Sequence, residues 1–239
     1  PSRGTHIVLD KSFLPGDSAL MVPKTDDGRV LFAIPWNERV VIGTTEAEVE
    51  EVSLEPRPNR EELQFLIEHA QRYLVGDPGP EDVLSIFAGI RPLVAPADRA
   101  DSDTAEISRD HQLYTSESGL VTISGGKWTT YRKMAEDTID EALLEAELDQ
   151  RTSTTCDLHL HGWHQDAEQF GDLAAYGSDA PALKELMEEH PELSELFDDR
   201  LPIRGAQVVW AARHEMARTV EDVLSRRTRC LLLDAEASI

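Results

Sequence analysis

The chain has 239 residues, 40% hydrophobic and 29% charged, with 14 Gly and 13 Pro, the composition of a folded protein of one large or two smaller domains. Its apolar runs, such as residues 40–42 and 231–233, fall far short of the roughly 20 residues a membrane-spanning helix requires. With 23 Lys and Arg against 46 Asp and Glu, the formal charge of −23 repels phosphate backbones, so no nucleic-acid partner is expected. Only five of the cationic residues are Lys (Lys11, Lys24, Lys127, Lys133, Lys184), a balance suited to a salt-rich cytoplasm that screens self-repulsion. Two distant cysteines, Cys156 and Cys230, give no disulfide framework and point to a reducing, cytoplasmic setting. The chain opens on Pro1, not Met, and runs at once into a strand pattern, so it is expected to be part of a longer protein.

Residues 5–9, 19–23, 29–35 and 39–44 are short β-rich runs. Pro15-Gly16-Asp17, Asp26-Asp27-Gly28 and Trp36-Asn37-Glu38 punctuate them, and this predicts an antiparallel meander. Residues 46–58 are acidic and contain Pro, and are expected to be a solvated connector. Asn59 with Glu62 three residues later predicts a capped helix whose buried stripe is Leu63, Leu66, Ile67, Ala70 and Leu74, ending by Gly76. A strand over 82–94, a polar loop over 95–105 and strands over 107–114 and 120–124 follow. The last of these runs into Gly125-Gly126 and a helix over 128–148 with Tyr131, Met134, Ala135, Ile139, Ala142, Leu143 and Ala146 on one face. After a linker over 152–162, helices are expected over 166–175, 180–189 and 205–226, an all-α tail without internal repeats.

Four groups of residues could carry chemistry. Gly125-Gly126-Lys127-Trp128-Thr129 joins a strand to a helix: glycines permit close backbone approach and the N–H groups of a helix start attract negative charge, although an ordinary turn would look the same. It is not a P-loop, because the Gly-x-x-x-x-Gly-Lys spacing is absent. Arg91, within an apolar run, needs either an internal acid or an anionic ligand. His6, on the first strand, is either a candidate general base or a satisfied core residue. His159, His161 and His164 have metal-like spacing but no matching Cys or carboxylate pattern, and are read as linker with no metal.

Taken in order, Arg3-Gly4-Thr5-His6-Ile7-Val8, Phe32-Ala33-Ile34-Pro35-Trp36, Ile42-Gly43-Thr44-Thr45-Glu46, Ala88-Gly89-Ile90-Arg91-Pro92-Leu93 and residues 124–136 resemble the FAD-dependent glycerol-3-phosphate dehydrogenase family. Ala212-Arg213-His214-Glu215-Met216-Ala217 and Asp222-Val223-Leu224-Ser225-Arg226-Arg227-Thr228-Arg229 are similar to the end of that family's helical C-terminal domain. The resemblance covers nearly the whole chain. It implies an α+β architecture, with residues 1–151 forming part of an FAD- and substrate-binding domain around a largely antiparallel sheet and residues 152–239 a helical C-terminal domain. It further implies oxidation of sn-glycerol 3-phosphate to dihydroxyacetone phosphate, hydride passing to FAD and electrons to quinone. By the same comparison Arg91 and Lys127 hold the substrate, His6 takes its hydroxyl proton, and Gly125, Gly126, Lys127, Trp128 and Thr129 lie against the flavin.

The family's Gly-x-Gly-x-x-Gly fingerprint occurs nowhere in the chain, so by itself the chain is expected to be inactive and not to retain FAD. A glycerol-phosphate oxidase that yields peroxide is the alternative; those oxidases carry an insertion for which residues 95–105 are too short. From another class, a helical partner-binding or dimerisation module would use Leu183, Leu186, Met187 and Leu193. A homodimer and peripheral contact with the inner face of the cytoplasmic membrane are further expectations, the contact made through a part outside this chain or through Arg226-Arg227-Thr228-Arg229. That cluster reads first as a cap on helix carbonyls.

Overall fold

Alternating β-branched runs separated by turn residues build strands β1 (Ser2–Asp10), β2 (Leu20–Val22), β3 (Leu31–Trp36), β4 (Arg39–Gly43) and β5 (Ala47–Glu48) in a computed structural model that describes residues 1–91 and 110–239. Helix α1 (Arg60–Tyr73), β6 (Ser85–Arg91), β7 (His111–Thr115), β8 (Val121–Gly125) and α2 (Tyr131–Glu145) follow. The tail holds α3 (Ala180–Glu189), β9 (Leu196–Asp198), β10 (Leu201–Arg204), α4 (Gly205–His214) and α5 (Cys230–Leu233). Two compact units result: one of residues 1–3, 46–56, 90–91 and 110–159, the other of residues 4–45, 57–89 and 160–239. The loop expected over 95–105 and the ends of the strands expected over 82–94 and 107–114 lie in part or whole outside the described residues.

In the second unit the strand order is β2-β3-β4-β1, antiparallel throughout, with His6 opposite Gly43 and Trp36 opposite Arg39. Asn37 and Glu38, at φ 47° and 57°, form the two-residue turn that matches the right-handed twist of the β3–β4 hairpin. Ile7, Leu9, Leu31, Ala33, Val40 and Ile42 face α1, and Leu66, Ile67 and Ala70 complete that core with Leu63 and Leu74 packed against it. All five residues of the expected helix stripe therefore face the core. The opposite face of β3 leaves Phe32 and Ile34 38% and 44% exposed.

The start of α1 is a reciprocal cap: Glu62 N–H donates to Asn59 Oδ1 at 2.8 Å and Asn59 N–H to Glu62 Oε2 at 3.0 Å. Glu62 does more than cap. Its Oε1 also accepts from Thr5 Oγ1 at 2.9 Å and Thr45 Oγ1 at 2.8 Å, both threonines being buried, and Thr45 Oγ1 accepts from Thr5 N–H at 2.9 Å. One buried carboxylate thus ties helix, first strand and the end of β4 together.

The first unit contains the β7–β8 hairpin, antiparallel from His111 opposite Gly125 to Thr115 opposite Val121, together with α2. The expected stripe of α2 is only partly covered: no residue of the helix is fully buried, and Tyr131 and Ile139 are 43% and 59% exposed. The connector expected over 46–58 starts as a strand, since Ala47 and Glu48 pair with Arg3 and Ser2, and only the remainder is solvated.

The tail is not all-α: it contains the β9–β10 ribbon, and the helix expected over 166–175 is instead a run of 3-10 turns broken at Gly171, where φ is 59°. The strand residues Leu201 and Ile203 pack with Cys230, Leu233 and Trp36. The helix expected over 205–226 is broken: α4 stops at His214, Met216 adopts φ 56°, and a π-helical segment resumes at Asp222–Arg227. Leu173, Ala180 and Leu183 form a separate cluster with Phe170, Tyr176, Met187 and Trp210, so Leu183 and Met187 serve internal packing. Asp222 closes the turn that leads into the π-helical segment, accepting from Arg218 N–H at 2.9 Å and Thr219 N–H at 3.0 Å. These backbone donors hold its carboxyl at about 2.

Replacing Glu62 by Ala strands two buried hydroxyls and the Asn59 N–H, and should lower unfolding stability by about 3 kcal/mol in urea titration, whereas Glu62→Gln, which keeps an acceptor oxygen, should cost less. The Asp222 carboxyl should titrate near 2 by carbon NMR; its capping contribution is complete above the ordinary aspartate value and is lost as pH falls through about 2.

Candidate functional site

Strand alternation sends Ile7 and Leu9 into the core and turns His6 to the other face. There the imidazole lies across Gly43 of the neighbouring strand, where a Cβ would come within 2.7 Å of His6 Cγ and Nε2. On its face it stacks on Phe87 of β6, ring centres 5.1 Å apart and planes 10° from parallel. Gly43 and Phe87 are the positioning residues that sequence reading missed. The signal for Gly43 was present in Ile42-Gly43-Thr44-Thr45, a strand end where a glycine is placed for a neighbour's ring and not for a turn.

The other expected site residues belong to the first unit. Arg91, at the end of β6, donates from Nη1 to Ser2 Oγ at 3.3 Å, and the buried Ser2 hydroxyl in turn donates to Glu46 Oε1 at 3.2 Å. The guanidinium is therefore anchored through a hydroxyl that an acid orients.

Gly125 and Gly126 end β8 at φ 76° and 83°, a region that side chains disfavour. A Cβ on Gly126 would also meet the flexible end of Met134, Cε at 2.6 Å, which can shift, so it is the backbone conformation that calls for glycine here. A single 3-10 turn, Trp128–Thr130, then leads into α2, with Thr130 N–H donating to Lys127 O at 3.0 Å. Lys127 is exposed, and no acid pairs with its amine among the described residues. Trp128 is 85% exposed and stacks on Tyr131 at 5.3 Å, and Thr129 is exposed beside it. The turn thus offers bare backbone, an aromatic plate and one cation, the equipment for a flat, partly anionic group.

The next cations are already engaged. Arg132 pairs with Glu136 at 2.5 Å, and Lys133 with Asp137 at 2.6 Å and Glu136 at 3.2 Å. Asp137 also meets His111 Nε2 at 2.9 Å, and Lys133's hydrogen bond, with that of His111, holds its carboxyl below the usual range. Of the histidines with metal-like spacing, His161 pairs with Asp179 at 2.8 Å, while His164 accepts from Asp166 N–H at 3.1 Å and packs edge-on against Phe170.

Gly43→Ala should push the His6 ring off Phe87, read as a change of the imidazole proton shifts with loss of the Phe87 ring-current contribution; unchanged shifts would show that the ring is positioned otherwise.

Two family models match the chain. One, described as FAD dependent oxidoreductase, covers residues 1–132, and the other, described as the C-terminal domain of alpha-glycerophosphate oxidase, covers residues 117–239. The chain is 37% identical over its whole length to a mitochondrial glycerol-3-phosphate dehydrogenase of Arabidopsis thaliana and 35% identical to that of Mus musculus, spanning 42% and 35% of those proteins. The solved glycerol-3-phosphate dehydrogenase of Bacillus halodurans, complexed with FAD, superposes with a TM-score of 0.74 over 98% of the chain and 49% of its own length, at 27% identity. The chain therefore spans less than half the length of these relatives. By these matches it belongs to the FAD-dependent oxidoreductases, its second half being the C-terminal domain described for alpha-glycerophosphate oxidase.

Proposed function

We propose that this chain is the substrate-facing and flavin-edge part of an enzyme that oxidises sn-glycerol 3-phosphate to dihydroxyacetone phosphate and passes the electrons to a quinone. The observation that carries the reading is whole-chain similarity to proteins named glycerol-3-phosphate dehydrogenase, at 37% and 35% identity. FAD, when bound, would take the hydride from substrate C2. The residues fit its edge: Gly125 and Gly126 keep side chains off the end of β8, and Lys127, Trp128 and Thr129 stand exposed at the turn.

The chain's own residues then divide the work. Arg91 and Lys127 hold the anionic substrate and offset charge that develops on its C2 oxygen. His6, kept in place by Gly43 and Phe87, accepts the C2 hydroxyl proton. Residues 1–151 supply these groups and residues 152–239 the helical C-terminal domain. The enzyme works in the cytoplasm, touching the inner face of the membrane peripherally to reach quinone, and as a homodimer; among the described residues no helix is long and apolar enough to cross a membrane. The chain includes no Gly-x-Gly-x-x-Gly run to hold a dinucleotide, so residues 1–239 alone neither retain FAD nor turn over.

An oxidase that passes electrons to oxygen is the second reading, favoured by the description of the domain matched over residues 117–239. Full-length protein assayed with a quinone analogue and separately for peroxide distinguishes the two. Quinone reduction without peroxide is expected, with kcat/KM falling about 100-fold in Arg91→Ala; peroxide would make it an oxidase, and turnover with neither acceptor despite bound FAD would overturn the substrate assignment. Flavin that stays with residues 1–239 through gel filtration would overturn the proposal that they do not retain it.

A further inference from the structure

Arg226, Arg227 and Arg229 put three guanidinium groups within four positions of a chain whose net charge is −23, and none of them enters the mechanism above. In the second unit they line a cavity of about 380 Å³, together with Tyr176, Gln207 and Glu215. This is the size of a small-ligand site, roughly 300–1,000 Å³. The segment is held rather than loose. Asp222 caps the preceding turn, the buried Thr228 donates from Oγ1 to Val223 O at 2.7 Å, and Arg229 sits at φ 60° where α5 begins.

The three arginines are not equivalent. Arg226 is committed to Glu221 at 2.5 Å and Asp222 at 3.0 Å. Arg227 spends only its Nε, donating to Glu215 O at 2.8 Å just past the end of α4, so this arginine caps a helix carbonyl as the sequence suggested, though of a different helix. Among the described residues neither its Nη groups nor the Arg229 guanidinium meets an acceptor. Tyr176 adds a further donor: its hydroxyl accepts from Gln207 Nε2 at 3.3 Å, which leaves its own hydrogen without an acceptor among the described residues, and burial keeps the phenol protonated.

The cavity also holds acceptors. Asp179 is paired with His161, Asp172 with Arg204 at 3.3 Å, and Glu215 is pushed up chiefly by burial. Unspent cationic donors beside carboxylates whose charge is partly offset suit a ligand that is itself both an anion and a hydroxyl donor. We propose that this cavity binds a small hydroxylated oxyanion, a polyol phosphate or polyhydroxy carboxylate, with Arg227, Arg229 and Tyr176 on its charged end and the carboxylates on its hydroxyls.

The test is calorimetric titration of the full-length flavoprotein carrying Arg91→Ala, which disables the proposed substrate contact, with ribose 5-phosphate and separately with gluconate at constant ionic strength. Saturable binding of either is expected, weakened about tenfold by Arg229→Gln and less by Tyr176→Phe. Arg229 is exposed and makes no internal hydrogen bond among the described residues, so its variant reports on the site without loss of the fold. Failure of both probes to saturate, equal affinity in Arg229→Gln, or binding that wild type shows and Arg91→Ala lacks would overturn the proposal; the last result would place the ligand at the substrate contact instead.

Discussion

The buried carboxylate of Glu62 is the constraint around which the sheet and its helix are arranged. An ionised acid inside a protein is tolerated only where hydrogen bonds replace its hydration, and here the Thr5 and Thr45 hydroxyls and the Asn59 N–H supply them. Each donor comes from a different element, so satisfying one side chain fixes three pieces of backbone at once. Thr5 immediately precedes His6, and Thr45 lies two residues beyond Gly43. The imidazole and the glycine beneath it inherit their register from this acid, which gives the site its rigidity from behind.

Glycine plays two different parts in the two units. At Gly43 the residue pairs with His6 across the sheet, and the missing Cβ makes room for that ring on the adjacent strand. At Gly125 and Gly126 the backbone itself is left-handed, and the missing side chains expose peptide groups at the entry to α2. Both make room, one for a neighbouring side chain and the other along the backbone itself.

Much of this was legible in the sequence where a local rule and the tertiary fold agree. The Asn59–Glu62 cap and the Leu63–Leu74 stripe read directly as α1, because the face that periodicity defines is also the face that the sheet covers. The Trp36-Asn37-Glu38 turn was equally plain. Legibility failed where a non-local partner decided the outcome. Ala47 and Glu48 carry the charge and polarity of a loop but become a strand by pairing with Ser2 and Arg3. Leu196–Asp198 and Leu201–Arg204 are too short for a period of two to register, and the break between α4 and the π-helical segment depends on Met216 taking a conformation unusual for its type. For the site, Gly125, Gly126 and the Trp128 turn were visible as a motif, while the Ser2–Glu46 support of Arg91 and the Phe87 stack on His6 join residues more than 40 positions apart, which spacing alone does not reveal.

The last residues of the second unit reach back to its first strands. Trp36 at the tip of the β3–β4 hairpin packs with Leu201, Ile203, Cys230 and Leu233; the Ser85 hydroxyl donates to the Leu232 carbonyl, and Ala235 N–H to the Leu84 carbonyl at 3.0 Å. A growing polypeptide therefore leaves the ribosome with a meander whose outer aromatic and whose β6 margin lack these partners until the segment from Leu201 to Ala235 has been made. Closure of this unit is a late, long-range event, and during synthesis the sheet is an exposed intermediate whose protection depends on whatever else the cell supplies.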